Sequence, residues 1–438
     1  MVTIIEKIVI GTDVTYSYVG KSTDEKPFST NGSQFLEMDT GKEYFFDGDE
    51  KGWSEQADKY LDSIAIETAP TKTTYYVGDK FDATGTVIKA TYTAESTADI
   101  TDVDVEAPEK LELDSIVKIK YVENGRTRYA EPTIEIKDNK ATDKASFMEI
   151  AQNGSAVVLE DDITISGALA FNHDFELDLN GNELTTTSTA QYMMNVNGGT
   201  VTLKNGAIKA KKRIGTVANG ELVIENCSLT STNDLLADAV GKDAKITVNG
   251  GEFHAVEGGF GAFDGASIEV NGGSFEVTDN FALYTNGSEG RGGNTIIIND
   301  IDINNSITSN GYEACGIYVA NDDTFIMNGG KIVANGGCGI LQRGGHVTIN
   351  DGYIKGTDGA NVPGWIGDLK GEEGKMSASG IVYHKHPNYA SGKIGIELTI
   401  NGGTIIGATK SIDIVSDEVE PKVYINGGAF IPPYVPVD

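Results

Sequence analysis

One phrase recurs through the C-terminal two-thirds of this 438-residue chain and limits what it can fold into: a short run of alternating apolar residues that ends in Asn-Gly, Asn-Gly-Gly or a close variant. It reads LDLNG at Leu177, VTLKNG at Val201, LVIENC at Leu222, ITVNGG at Ile246, IEVNGG at Ile268 and IIIND at Ile296. It continues as FIMNGG at Phe325, VTINDG at Val347, LTINGG at Leu398 and VYINGG at Val423. The anchor residues are Asn180, Asn205, Asn226, Asn249, Asn271, Asn299, Asn328, Asn350, Asn401 and Asn426, with gaps of 25, 21, 23, 22, 28, 29, 22, 51 and 25 residues. A period in this range, with one supersecondary unit per repeat, is the signature of a solenoid.

Alternation with period two specifies a strand, and Asn-Gly supplies one residue that tolerates a left-handed backbone and one that prefers it. A second short strand follows each corner, as at Glu252 to Ala255, and a third apolar run precedes the next phrase, as in Gly316 to Val319, Gly339 to Leu341 and Gly380 to Tyr383. Three short strands per coil predict a right-handed parallel β-helix of about ten coils over residues 139–438. One coil cannot bury its own apolar face, but a stack encloses a continuous core. The recurring asparagines are expected to form an amide ladder that shapes the corner and performs no catalysis. Cys315 and Cys338 occupy matching Cys-Gly-Ile positions and are expected to stack as buried thiols rather than as a disulfide, since parallel in-register geometry suits that bond poorly. Asp143 to Asn153 reads as a short amphipathic helix, with Phe147 and Ile150 on one face, placed to cap the open end of the stack. The prolines of Ile431 to Asp438 read as a stop at the other end.

Residues 59–138 have another texture: alternating runs such as Ser63 to Glu67, Thr86 to Tyr92 and Ile116 to Val122, which predict short antiparallel strands in a β-sandwich. The stretch Leu61 to Thr97, around Pro70, Lys72, Tyr76, Gly78, Phe81 and Gly85, resembles the bacterial immunoglobulin-like modules of surface proteins and phage structural proteins. That resemblance implies a spacer or adhesion module. Residues 1–58 read as a small antiparallel β domain, with strands Gln34 to Met38 and Glu43 to Asp47, a second turn and then Trp53. The segment Tyr18 to Gln56, with its Asp39 to Lys42 turn and the aromatic strand after it, is similar to segments of tailed-phage structural proteins. The resemblance implies a virion-attachment domain whose partner is the phage capsid or another virion protein.

The formal charge of −31 argues against nucleic-acid or anionic-membrane partners, because phosphate affinity comes mainly from Lys and Arg. Met1 to Gly11 is interrupted by Glu6 and Lys7 and lacks the features of a Sec signal, so export by that route is not expected. The acidic pairs that carboxylate chemistry would need, Asp161/Asp162, Asp300/Asp302 and Asp322/Asp323, are each expected on a solvated turn or outer strand position, and no catalytic residue is assigned. The 51-residue gap holds the most site-like stretch: Trp365, then Tyr383, His384, His386 and Tyr389, whose rings suit stacking on a glycan or a protein partner. His384 and His386 alternate along a strand-like stretch, but with no third ligand in view neither a metal nor a cofactor is expected.

The expectation is therefore a mainly β, head-fibre-like virion decoration protein that displays its β-helix to host-surface or mucin glycans. A tailspike-like polysaccharide depolymerase and a bacterial cell-surface adhesin are the alternatives. A homotrimer would suit such an appendage, although no heptad run specifies one.

Overall fold

The structure is a computed structural model that describes residues 1–10, 12–55, 60–93, 96–187, 191–278, 280–285, 288, 290–306, 315–357, 378–384, 394–408, 410–415 and 421–432. The chain divides into two compact units, Met1–Asp138 and Asn139–Asp438.

The first unit opens with a five-stranded sheet in sequence order, Thr3–Ile10, Asp13–Gly20, Gln34–Glu37, Glu43–Asp47 and Gly52–Glu55. The second and third strands pair in parallel, so the sheet is mixed where the sequence suggested antiparallel pairing throughout. Trp53 fixes its core, with ring centroids 5.4 Å from Phe46, 5.7 Å from Tyr18 and 5.8 Å from Phe35, each edge to face. The Asp39 to Lys42 turn is closed by Gly41 at φ 74, a left-handed position that glycine occupies without strain.

Two three-stranded antiparallel sheets follow, one from Leu61–Thr68, Val87–Tyr92 and Thr97–Ile100, the other from Asp104–Glu106, Lys118–Glu123 and Arg126–Ala130. Thr74–Tyr76 and Glu135–Lys137 form a separate parallel pair. Leu61, Ala90 and Tyr92 form one buried cluster, and Tyr75, Leu111 and Val117 another.

The second unit is a parallel β-helix. It holds a 19-stranded sheet that folds around the Asn-Gly corner and a 10-stranded sheet made of the third strand of each coil, and every named pairing in both sheets is parallel. In-register stacking places like on like. Leu177, Leu203, Ile224, Val248, Val270, Ile298, Met327, Ile349 and Ile400 form one internal column across successive coils. Phe253, Phe260 and Phe275 pack together inside the stack, with centroids 4.6 to 5.6 Å apart. The expected helix runs Lys144–Asn153 behind a capping box at Asp143 and buries Phe147, Ile150 and Ala151. It packs on the first strands of the stack.

The corner asparagines form two groups, not the single one the sequence suggested. Asn180, Asn205 and Asn226 themselves take the left-handed conformation, with φ of 49, 59 and 50. From Asn249 onward, Asn299 excepted, that role passes to the glycine two residues later, at Gly251, Gly273, Gly330, Gly352, Gly403 and Gly428. With the backbone turn carried elsewhere, the amides line up along the outside of the stack. Each Nδ2 donates to the Oδ1 of the coil before, from Asn271 to Asn249 (2.9 Å) through Asn299, Asn328, Asn350 and Asn401 to Asn426, at 2.7 to 2.8 Å.

Candidate functional site

The outer side of the 10-stranded sheet is where the solenoid departs from a simple repeat. A strand on a solenoid surface normally buries alternate residues. Here the patterns are different: all five residues of Cys315–Val319, all four of Ile381–His384 and four of the six in Leu235–Val240 are buried. The outward positions follow from the register. Asn195 stacks on Thr216, Thr216 on Asp238, Asp238 on Gly261, Gly261 on Tyr284, and Tyr284 on Tyr318.

The first part of this column is polar. Asp238 is only 6% exposed, and its two oxygens are used: Oδ2 accepts from Arg213 Nη1 and Oδ1 from the Thr216 hydroxyl at 2.7 Å. The Arg213 guanidinium also reaches Asp234 Oδ1 at 3.6 Å, so it bridges two carboxylates of the same neighbouring coil. Burial pushes the Asp238 carboxyl above its ordinary range, while Arg213 and the Thr216 bond pull it back. Tyr284 lies across Gly261: a Cβ there would meet its Cζ at 2.6 Å, so glycine is what seats the ring. Burial, reinforced by the Asp238 charge, drives the Tyr284 phenol far above its usual pKa. Asn195 Oδ1, Arg213 Nε and the Tyr284 hydroxyl are enclosed and have no hydrogen-bond partner among the described residues.

Beyond Tyr284 the strip turns apolar. Phe263 meets Tyr284 edge to face at 5.8 Å, and Phe281, Cys315, Tyr318, Cys338, Leu341 and Val382 form a cluster separate from the internal columns. The Cys315 and Cys338 sulfurs are 3.1 Å apart with no disulfide between them.

Of the residues singled out in the sequence, Trp365, His386 and Tyr389 lie outside the described residues. Tyr383 and His384 are buried, so the surface stacking expected of them is not available. The Tyr383 hydroxyl donates to Ile396 O at 3.0 Å and accepts from Lys422 N at 3.1 Å, which makes it an internal strut between coils. The acidic pairs serve the turns. Asp162 accepts from Glu183 N, Asp322 accepts from Gly293 N, and Asp300 and Asp302 line a shallow hollow with Lys331. Asp323 is the exception to the expected solvated setting. It is fully buried, accepts from both Asn294 N and Asn294 Nδ2 at 2.9 Å, and burial pushes its pKa up to about 6.

Residues 68–115 match the family model described as bacterial Ig-like domain (group 3). The match falls within the paired antiparallel sheets of the first unit and agrees with the resemblance read from Leu61 to Thr97. No curated protein is similar enough to this chain to count as a relative. The candidate site lies outside the matched residues, on the β-helix.

Arg213, Asp238 and Tyr284 were not marked by sequence reading. The available signal was a charged residue inside an otherwise apolar third-strand run, LLADAV, together with the glycines of GGFGAF in the next coil.

Proposed function

We propose that the chain is a display protein of a tailed-phage virion, head-fibre-like, in which residues 1–58 dock on the capsid or another virion protein. The Ig-like domain serves as spacer, and the β-helix is held outward to contact host-surface or mucin glycans without cleaving them. The observation that carries this reading is the strand Thr3–Ile10. It is the edge of its sheet, paired on one side only, and all eight of its residues are exposed. Ile4, Ile5, Val9 and Ile10 are 56, 62, 57 and 75% exposed. A long apolar edge strand is a liability for a free protein, because its unpaired N–H and C=O groups recruit other chains. In a component of an assembly the same strand is a ready site for strand addition, with main-chain bonds giving affinity and the isoleucines filling pockets. The likeness of Tyr18 to Gln56 to phage structural segments supports the same attachment.

The test is incorporation. A chain carrying Ile4→Lys and Ile8→Lys, produced alongside the virion components, is expected to stay folded but fail to enter particles. Normal incorporation of that variant would overturn the attachment reading. Release of reducing ends or unsaturated products from host polysaccharides by the wild-type chain would overturn the non-cleaving one.

A further inference from the structure

We propose that the open end of the β-helix, at Lys422–Ile425 and Ala429–Ile431, docks on the same end of a second copy of this chain. Each of these strands pairs with the coil before it, at Ile396–Ile400 and Thr404–Ile406, and among the described residues neither has a partner on its far side. The core itself is open there. Leu398, Ile400 and Ile405 have no solvent exposure, yet Ile425, which extends the column of Ile400, is 37% exposed, and Tyr424 and Ile431 are 51 and 54% exposed. Such an end leaves both apolar interior and strand edges to water, and a solenoid is stable when its terminal coils are covered.

The opposite end restricts how a second copy can arrive. There Lys144–Asn153 packs on the first strands and buries Phe147, Ile150 and Ala151, so a second stack finds no open core to continue head to tail. Two copies therefore meet tail to tail about a two-fold axis. An axis through the corner at Gly427 and Gly428 sets Lys422–Ile425 of one copy antiparallel to Ala429–Ile431 of the other, and the reverse, so all four edges pair at once. Parity fixes the register, because facing residues of an antiparallel pair share a side. Ile425 continues the buried column of Ile400 and Phe430 that of Ile405, so these inward residues face each other across the axis. The outward Tyr424 then faces Ile431, and the two most exposed large apolar side chains of this end cover each other. The prolines begin at Pro432, past the strand, and leave the N–H groups of Ala429–Ile431 in place.

Charge favours the same partner. A chain of formal charge −31 repels its own copies over most of its surface. Pro421 to Pro432, by contrast, contains one charged side chain, Lys422, and the strand it would meet has none. This end can approach its own copy without bringing carboxylates together.

The inference goes beyond the attachment reading and does not rest on it, since it uses only the second unit. The experiment is sedimentation velocity on the full chain at about 1 to 100 µM, where the wild type is expected to dimerise. Tyr424→Lys with Ile431→Lys sets like charges opposite each other and is expected to weaken dimerisation at least about tenfold. Tyr424→Lys with Ile431→Glu alters the same exposed side chains but sets opposite charges face to face, and is expected to keep the dimer. The edge-strand variant Ile4→Lys with Ile8→Lys is expected to dimerise like the wild type. A wild-type chain that stays monomeric at about 100 µM would overturn the proposal. So would two Tyr424 and Ile431 double variants that behave alike, or a dimer that is lost in the edge-strand variant. A monomeric wild type that still enters particles refutes the tail pairing alone, whereas a tail-paired chain whose edge-strand variant incorporates normally refutes the attachment alone.

Discussion

Replacing Asp323 by Asn tests the physical account of the buried corner where the third strand turns into the next coil. Asp323 has no solvent exposure, and Asn294 supplies two donors to its Oδ1. Burial first, and then the neighbouring Asp322 charge, raise its pKa from 3.8 to about 6 in spite of those bonds. An acid whose folded pKa exceeds its unfolded value favours folding when protonated. Its contribution is therefore complete below pH 3.8 and is lost as pH rises through about 6. At about 1.4 kcal/mol per unit, the shift corresponds to about 3 kcal/mol between those limits. Asn keeps the Oδ1 acceptor for Asn294 and cannot ionise. The two proteins are therefore expected to differ little near pH 3.5, with the variant growing more stable by up to about 3 kcal/mol by pH 8. Urea denaturation of the full chain across this range, with the two proteins compared at each pH so that the other acids cancel, reads the difference directly. A gap that stays constant with pH would show that Asp323 does not titrate in this window, and a variant less stable throughout would show that its negative charge is wanted.

Two further outcomes probe packing elsewhere in the stack. Gly316→Ala should destabilise the β-helix by about 1–3 kcal/mol, because the new Cβ would sit 2.3 Å from Ile332 Cγ2 and 2.6 Å from Gly339 O; an unchanged melting temperature would show that these sheets are not pressed together there. Cys227, Cys315 and Cys338 are all fully buried, and burial pushes the Cys227 thiol up to about 12. A thiol reagent should therefore leave all three untouched in the native chain and label all three after unfolding, whereas rapid native labelling would contradict their placement.

What could be read from the sequence was whatever repeats. Val248, Val270 and Ile298 announce an internal column because each stands immediately before its Asn, and parallel in-register pairing preserves that offset in space. Phe147 and Ile150 announced the capping helix by their spacing. The division of the asparagines at Asn249 was harder to see, since it depends on which corner residue takes the left-handed backbone, and Asn and Gly compete for that role on nearly equal terms. The candidate site was hidden for another reason. Whether the outward side of a third strand is wet or covered is decided by what lies over it, and nothing in the alternation of LLADAV or CGIYV distinguishes the two. Tyr383 shows the error this produces: an aromatic beside a long excursion looks like a contact residue, yet its hydroxyl ties two coils together from within.

The amide row along the corner passes from Asn350 to Asn401 at 2.8 Å, the same step as every other rung, although 51 residues of sequence separate them. The longer gap therefore adds nothing to the count of coils: Gly345–Ile349 still pairs directly with Ile396–Ile400. Length added between two rungs leaves the rungs in step, because each amide answers only to the one before it.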